Sequence, residues 1–218
     1  MLNNHRKGAS QKGLTLIEML IALVLGLFVT AIIISVFSTN VRSSNENIRM
    51  IRLNQELRGV MTLMVDEIKR HGYSFDPTDN NFMNKLDYDS ANTCLNYSYD
   101  SDTTDGSFDA SKDLFAFQLR SDNIIYWNTT SCAPSIGGQP LTETNIANIT
   151  TLNFDFSGSA NTNGASGLTA LTTLDGVSVY DVTITLTGTT DLPHSSEAND
   201  PRRTIIETIR MRNEDPKD

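Results

Sequence analysis

Apolar residues are distributed very unevenly along this chain. Residues 14–37, LTLIEMLIALVLGLFVTAIIISVF, form a nearly unbroken apolar block, and the rest of the chain is polar and rich in Asn, Ser, Thr and Asp. The block is long enough to span a bilayer, which takes about 20 mostly apolar residues. Beyond it the apolar positions become periodic: Val41, Ile48, Leu53, Leu57, Val60, Met61, Met64, Val65 and Ile68. From Leu57 the spacing is i, i+3, i+4, i+7, i+8, i+11, one face of an amphipathic helix. Arg58, Glu67 and Arg70 fall on the other face, and Asp66 and Arg70 are four apart, a spacing at which they can pair. Gly72 after His71 is a common helix stop. No proline lies between Leu14 and Tyr73. The pattern therefore predicts one helix from Leu14 to His71, roughly 85 Å long at 1.5 Å per residue. Gly26 and the run Ser43-Ser44-Asn45 are its weak points, where a bend is tolerated.

After Tyr73 the helical period vanishes. Residues 74–112 hold no strong periodic element and read as one long loop, with Cys94 in it. Strand patterns then come in series. Leu114–Arg120 and Ile124–Trp127 flank the turn Ser121-Asp122-Asn123 and predict a hairpin. Ile149–Phe156 alternates Leu152, Phe154 and Phe156 on one face. Val177–Leu186 alternates Val177 and Val179, then Val182, Ile184 and Leu186, and the change of phase at Tyr180-Asp181 predicts a bulge. Thr204–Met211 alternates Ile205, Glu207, Ile209 and Met211 against Thr204, Ile206, Thr208 and Arg210. The stretch Gly158–Gly167 reads as a flexible connection. Turns rather than helices join these strands, so the sheet should be mainly antiparallel. Its apolar face needs a cover, and the stripe of the Leu53–Ile68 helix supplies one. The expected class is α+β.

Length and charge narrow the function. At 218 residues the chain has room for one medium domain plus an anchor. Its net charge is −9, and loss of a leader holding Arg6, Lys7 and Lys12 takes that to −12. A broad basic surface for nucleic acid is not indicated. The positive leader before the apolar block keeps the N-terminus in the cytoplasm. A secretory signal peptide would have a shorter apolar core closed by a small-residue cleavage site, and neither is present. The polar region is thus expected outside the cytoplasm, where the two cysteines, Cys94 and Cys132, read as one disulfide. The other reading, two separate free thiols, stays open at this level. Glu18 is the anomaly. It sits just inside the apolar block, where a carboxylate is costly unless it is near the interface, protonated or paired.

The stretch Gly13-Leu14-Thr15-Leu16-Ile17-Glu18 resembles the prepilin cleavage motif of type IV pilins and type II secretion pseudopilins. Where that class more often has Phe or Met after the glycine, this chain has Leu14. The resemblance implies a cut after Gly13 by a prepilin peptidase and N-methylation of Leu14 by the same enzyme. It also implies that Glu18 neutralises the terminal amine of a neighbouring subunit in a filament core. Two charges in a helical bundle are tolerable as a pair. The segments Leu53–Arg58, Glu67–Tyr73 and Glu207–Asn213 resemble the PilW family of minor pilins, and the J-type minor pseudopilins share the general plan. The implied fold is type IV pilin-like: a long N-terminal helix, half transmembrane and half amphipathic, packed on a mainly antiparallel sheet. The implied organisation is a leader at 1–13, a transmembrane segment at 14–37, a helical spine at 38–72 and a soluble β-rich domain at 73–218. The implied partners are other major and minor pilins, the prepilin peptidase and the inner membrane. The soluble domain would lie in the periplasm before entering a filament. A minor pilin acting in pilus assembly or initiation is the leading reading, and a J-type minor pseudopilin is the alternative.

A third class, a monotopic envelope enzyme with a signal anchor, finds little support. His5, His71 and His194 form no nucleophilic or metal-binding pattern with other residues. The run Asp100-Ser101-Asp102-Thr103-Thr104-Asp105-Gly106 has calcium-loop composition, but the glycine is one place late and the bidentate Glu is missing. Asn96-Tyr97-Ser98, Asn128-Thr129-Thr130 and Asn148-Ile149-Thr150 match glycosylation sequons, which are coincidental in a bacterial-type filament protein. No cofactor and no metal are expected.

Overall fold

The computed structural model describes residues 13–76, 82, 85–89, 91, 93–102, 106–128, 132, 137–161, 178–190 and 200–211. Among the described residues one long helix, α1 (Leu16–Ile68), precedes nine strands: β1 (Asp87–Tyr88), β2 (Cys94–Ser98), β3 (Leu114–Leu119), β4 (Ile125–Asn128), β5 (Gln139–Pro140), β6 (Asn148–Asp155), β7 (Ala160–Asn161), β8 (Ser178–Thr189) and β9 (Arg202–Met211). The chain divides into two compact units, 1–47 and 48–218.

In the first unit α1 runs without interruption through both weak points. Thr30 Oγ1 donates to Gly26 O at 2.7 Å, and Arg42 pairs with Glu46 at 3.3 Å across Ser43-Ser44-Asn45. Its apolar side chains are bare, with Phe28 65% exposed. This is one helix long and apolar enough to cross a membrane, and none of its apolar window is buried in the chain.

In the second unit the same helix becomes a core element. Leu53, Leu57, Val60, Met61, Met64, Val65 and Ile68 are all buried, the stripe that the spacing marks. They pack in a single cluster with Leu95, Phe117, Ile149, Phe154, Ile184 and Ile209, among others, from the strands. Helix and sheet come close together at Gly188. A Cβ there would stand 3.0 Å from Leu57 Cδ2, 3.3 Å from Leu53 Cδ1 and 3.4 Å from Ile149 Cδ1. Glycine is what lets β8 come this near the helix. After Ile68 the chain leaves the helix in a turn. Gly72 takes φ 78°, the left-handed conformation that favours glycine at a helix end, and its N–H donates to Ser98 O at 2.8 Å.

The fold is α+β and type IV pilin-like, with the helix packed on antiparallel sheet. Among the described residues there are two sheets rather than one. The first is a meander, β1-β2-β3-β4-β5, and the second is built around β8, which pairs with β6, β7 and β9. Every pairing is antiparallel.

Three local expectations need correction. The region 74–112 is not strand-free, because β2 lies fully within it and pairs with β3 from Cys94–Gln118 to Ser98–Leu114. Its composition hides this: Leu95, Tyr97 and Tyr99 are buried, but Asn96 and Ser98 between them read as loop residues. The bulge is not at Tyr180-Asp181, where β8 and β9 stay in register from Tyr180–Met211 onward. Tyr180 simply continues the buried face of Val182, Ile184 and Leu186. The irregularity lies in β6, between Ile149 and Thr151. There two inward residues, Ile149 and Leu152, are three apart, and one extra residue is needed to keep both in the core. Finally, Arg70 pairs with Glu67 at 3.2 Å rather than with Asp66. The helix ends at Ile68, so Arg70 is no longer on the helical i+4 position. Tyr99 OH donates to Glu67 Oε2 at 2.9 Å, and Arg70 lies over the Tyr99 ring at 5.3 Å. Burial and the bond to Glu67 both push the Tyr99 phenol up from its ordinary value.

Cys94 and Cys132 are joined in a disulfide across 38 positions of sequence. It ties β2 to the segment after β4, and Cys132 N donates to Asn96 Oδ1 at 2.9 Å. Replacing both cysteines by serine should lower the unfolding free energy by about 3–4 kcal/mol on the chain-entropy account of a loop this size. Chemical denaturation of the oxidised protein and the variant checks it, and equal midpoints would show that the bridge contributes nothing.

Candidate functional site

The site is the head of α1. Gly13, Leu14 and Thr15 precede the helix, and Leu16 is its first residue. Gly13 has no positive φ, and a Cβ added to it would meet nothing within 4 Å. Among the described residues nothing requires a glycine at 13. Leu14 is 73% exposed.

Glu18 has a local role that its place in the apolar block does not suggest. Thr15 is the N-cap, and Glu18 is the third residue of the helix. Glu18 N donates to Thr15 Oγ1 at 3.3 Å, and Thr15 N donates back to Glu18 Oε2 at 3.4 Å. This is a capping box, which satisfies two backbone donors that the first turn leaves open. A carboxylate here also faces the positive end of the helix dipole. The signal was in the sequence, Thr15-Leu16-Ile17-Glu18, and is the S/T-x-x-E spacing. The bonds are long and Glu18 is exposed. Its carboxylate is therefore open to a stronger partner.

The structure brings Gly13, Leu14 and Glu18 together by chain contiguity alone, and Cys94 with Cys132 in the separate β-rich unit. His71 is 1% exposed, with Nδ1 3.1 Å from Ser98 O. It fastens the end of the helix to β2. His5 and His194 lie outside the described residues. In the Asp-rich run, Asp100 Oδ2 accepts from Phe75 N at 3.1 Å, and Ser101 N donates to Asp113 Oδ1 at 3.1 Å. These two carboxylates organise backbone, and among the described residues no group of three acidic, His or Cys side chains is placed to hold a metal.

Comparison with known families resolves the head and the body of the chain separately. The model of the family described as prepilin peptidase-dependent protein B matches residues 46–211. The chain belongs to this family. For this member of the prepilin peptidase-dependent protein B family, a second model, the prokaryotic N-terminal methylation motif, matches residues 8–34 and so covers Gly13, Leu14 and Glu18. No curated protein and no solved structure matches the chain. A methylation motif on an apolar helix, followed by a prepilin peptidase-dependent body, makes this a membrane-anchored subunit of pilin or pseudopilin type. Dependence on the peptidase also makes that enzyme a partner.

Proposed function

We propose that the chain is a minor pilin that acts in the assembly or initiation of a type IV pilus after cleavage between Gly13 and Leu14. The reading rests on one observation above the others. A glycine that nothing among the described residues requires sits five residues before a carboxylate, at the head of a bare apolar helix. Residues 1–13 serve as the leader, 14–37 as the membrane segment, 38–72 as the spine and 73–218 as the periplasmic domain. Leu14 becomes the new terminal residue and is N-methylated. Glu18 leaves its capping box to neutralise a neighbour's terminal amine in the filament. Other major and minor pilins are the partners.

The experiment is mass spectrometry of the membrane-extracted protein beside a Gly13→Glu variant. The native chain should begin at Leu14 with one added methyl group. The variant should keep its whole leader and accumulate as the longer precursor. A native N-terminus at any other residue overturns the assignment.

A further inference from the structure

Among the described residues the outer edge of β9 is a long unpartnered stretch of strand. β9 spends one side on β8, from Arg202–Thr189 to Met211–Tyr180, and no described strand pairs with the other. The outer strands of the meander, β1 and β5, are two residues each. At the far edge of the second sheet, Ile149 of β6 donates to Asn123 O, and β6 lies against β2 and β3. Long exposed edges are sites at which another chain adds.

A groove of about 460 Å³ runs beside this edge, between Arg58, Met61 and Thr62 of α1 and residues 203–207 of β9. It holds two guanidiniums, Arg58 and Arg203, against one carboxylate, Glu207. Neither arginine has an ion-pair partner among the described residues. This local excess of positive charge stands out in a chain of net charge −9. Ile206 is 63% exposed in the same lining and offers an apolar contact.

We propose that this groove receives an extended acidic segment of a partner protein, which adds to β9 as a further strand. Main-chain hydrogen bonds along the edge would supply affinity, and alternate side chains would supply selectivity. Arg58 and Arg203 would face the partner's carboxylates, which a guanidinium can hold with two parallel bonds. A second copy of this chain fits worse. Opposed residues of an antiparallel β9–β9 pair share a face of the sheet, so a pair centred on Ile206 would set Arg202 of each copy opposite Arg210 of the other, one centred on Glu207 would set Glu207 opposite Glu207, and like charges in those positions destabilise. The inference concerns the β-rich unit and goes beyond the reading of the N-terminal site.

The test uses the full chain in detergent micelles and two labelled peptides. One is Thr-Glu-Val-Glu-Val-Glu-Thr, and the other has lysine at each glutamate. The acidic peptide should bind saturably by fluorescence anisotropy, weaken as salt is raised, and slow hydrogen exchange of the amides at 203–207. The lysine peptide should not bind. The double change Arg58→Glu with Arg203→Glu should cut affinity for the acidic peptide by about tenfold or more. The near-UV signal of Trp127 reports whether that variant is folded, and the peptide pair decides the matter without it. Equal binding of both peptides, binding that leaves the β9 amides unprotected, or no saturable binding overturns the proposal. So does self-association that protects those amides with no peptide present.

Discussion

Glu18→Ala should leave the chain inserted and processed but largely missing from filaments. In the proposed assembly Glu18 faces the terminal amine of a neighbour inside a bundle of apolar helices. Removing one partner strands the other away from water, and that is the costly way to break such a pair. Incorporation should fall by about tenfold or more, the scale set by even a modest part of that cost. Membrane insertion should be unharmed, because alanine removes the one carboxylate from the apolar span. The lost capping box works in the other direction, but its bonds are 3.3 and 3.4 Å and hold only the first turn. Fractionation into membranes and sheared filaments, with a crosslink to an identified neighbouring subunit, separates the two effects. A variant that enters filaments at the native level, with the crosslink intact, refutes the pairing.

A second large effect is expected where helix meets sheet. Leu57→Ala should destabilise the β-rich unit by about 2–5 kcal/mol. Leu57 is fully buried, and its Cδ2 reaches the place where a Gly188 side chain would begin. With a glycine backbone on one side and Leu53 and Ile149 nearby, the cavity has few neighbours able to fill it. The adjacent change Arg58→Ala removes an exposed side chain and should stay within about 0.5 kcal/mol. Denaturant unfolding followed by Trp127 fluorescence compares them. Equal midpoints for the two variants would mean that α1 is not seated on β8 through Leu57.

The helix was legible because a 3.6-residue period runs unbroken from Leu57 to Ile68, and no polar residue interrupts it. The later strands were legible because Leu152, Phe154, Val182 and Ile184 alternate with polar neighbours. β2 was not, since it is buried on both faces and only Leu95 and Tyr97 stand out as large apolar residues, while Asn and Ser favour turns on propensity. The division into two sheets was hidden for a different reason. Alternation shows which face of a strand is buried and says nothing of its lateral neighbours. At the candidate site the type of each residue was readable, Gly13 and Glu18 above all. The capping box was visible as a spacing but was overshadowed by the burial problem that Glu18 poses. The edge of β9 that no described strand pairs with could not be read from sequence, because an unpaired edge is a property of everything that fails to pair with it.

No described residue of α1 before Leu53 is buried in its own chain. That division separates two kinds of selection within one continuous helix. From Leu53 onward a substitution answers to the packing of this molecule, and its damage is repaired by changes at positions such as Gly188 or Ile149. Before Leu53, Met50 still packs partly buried against that core, and the described residues of the apolar segment are exposed. Variation in the apolar segment is judged by lipid, by the processing enzyme and by neighbouring subunits. Co-variation should therefore couple the first half of the helix to other proteins' sequences and the second half to this one's.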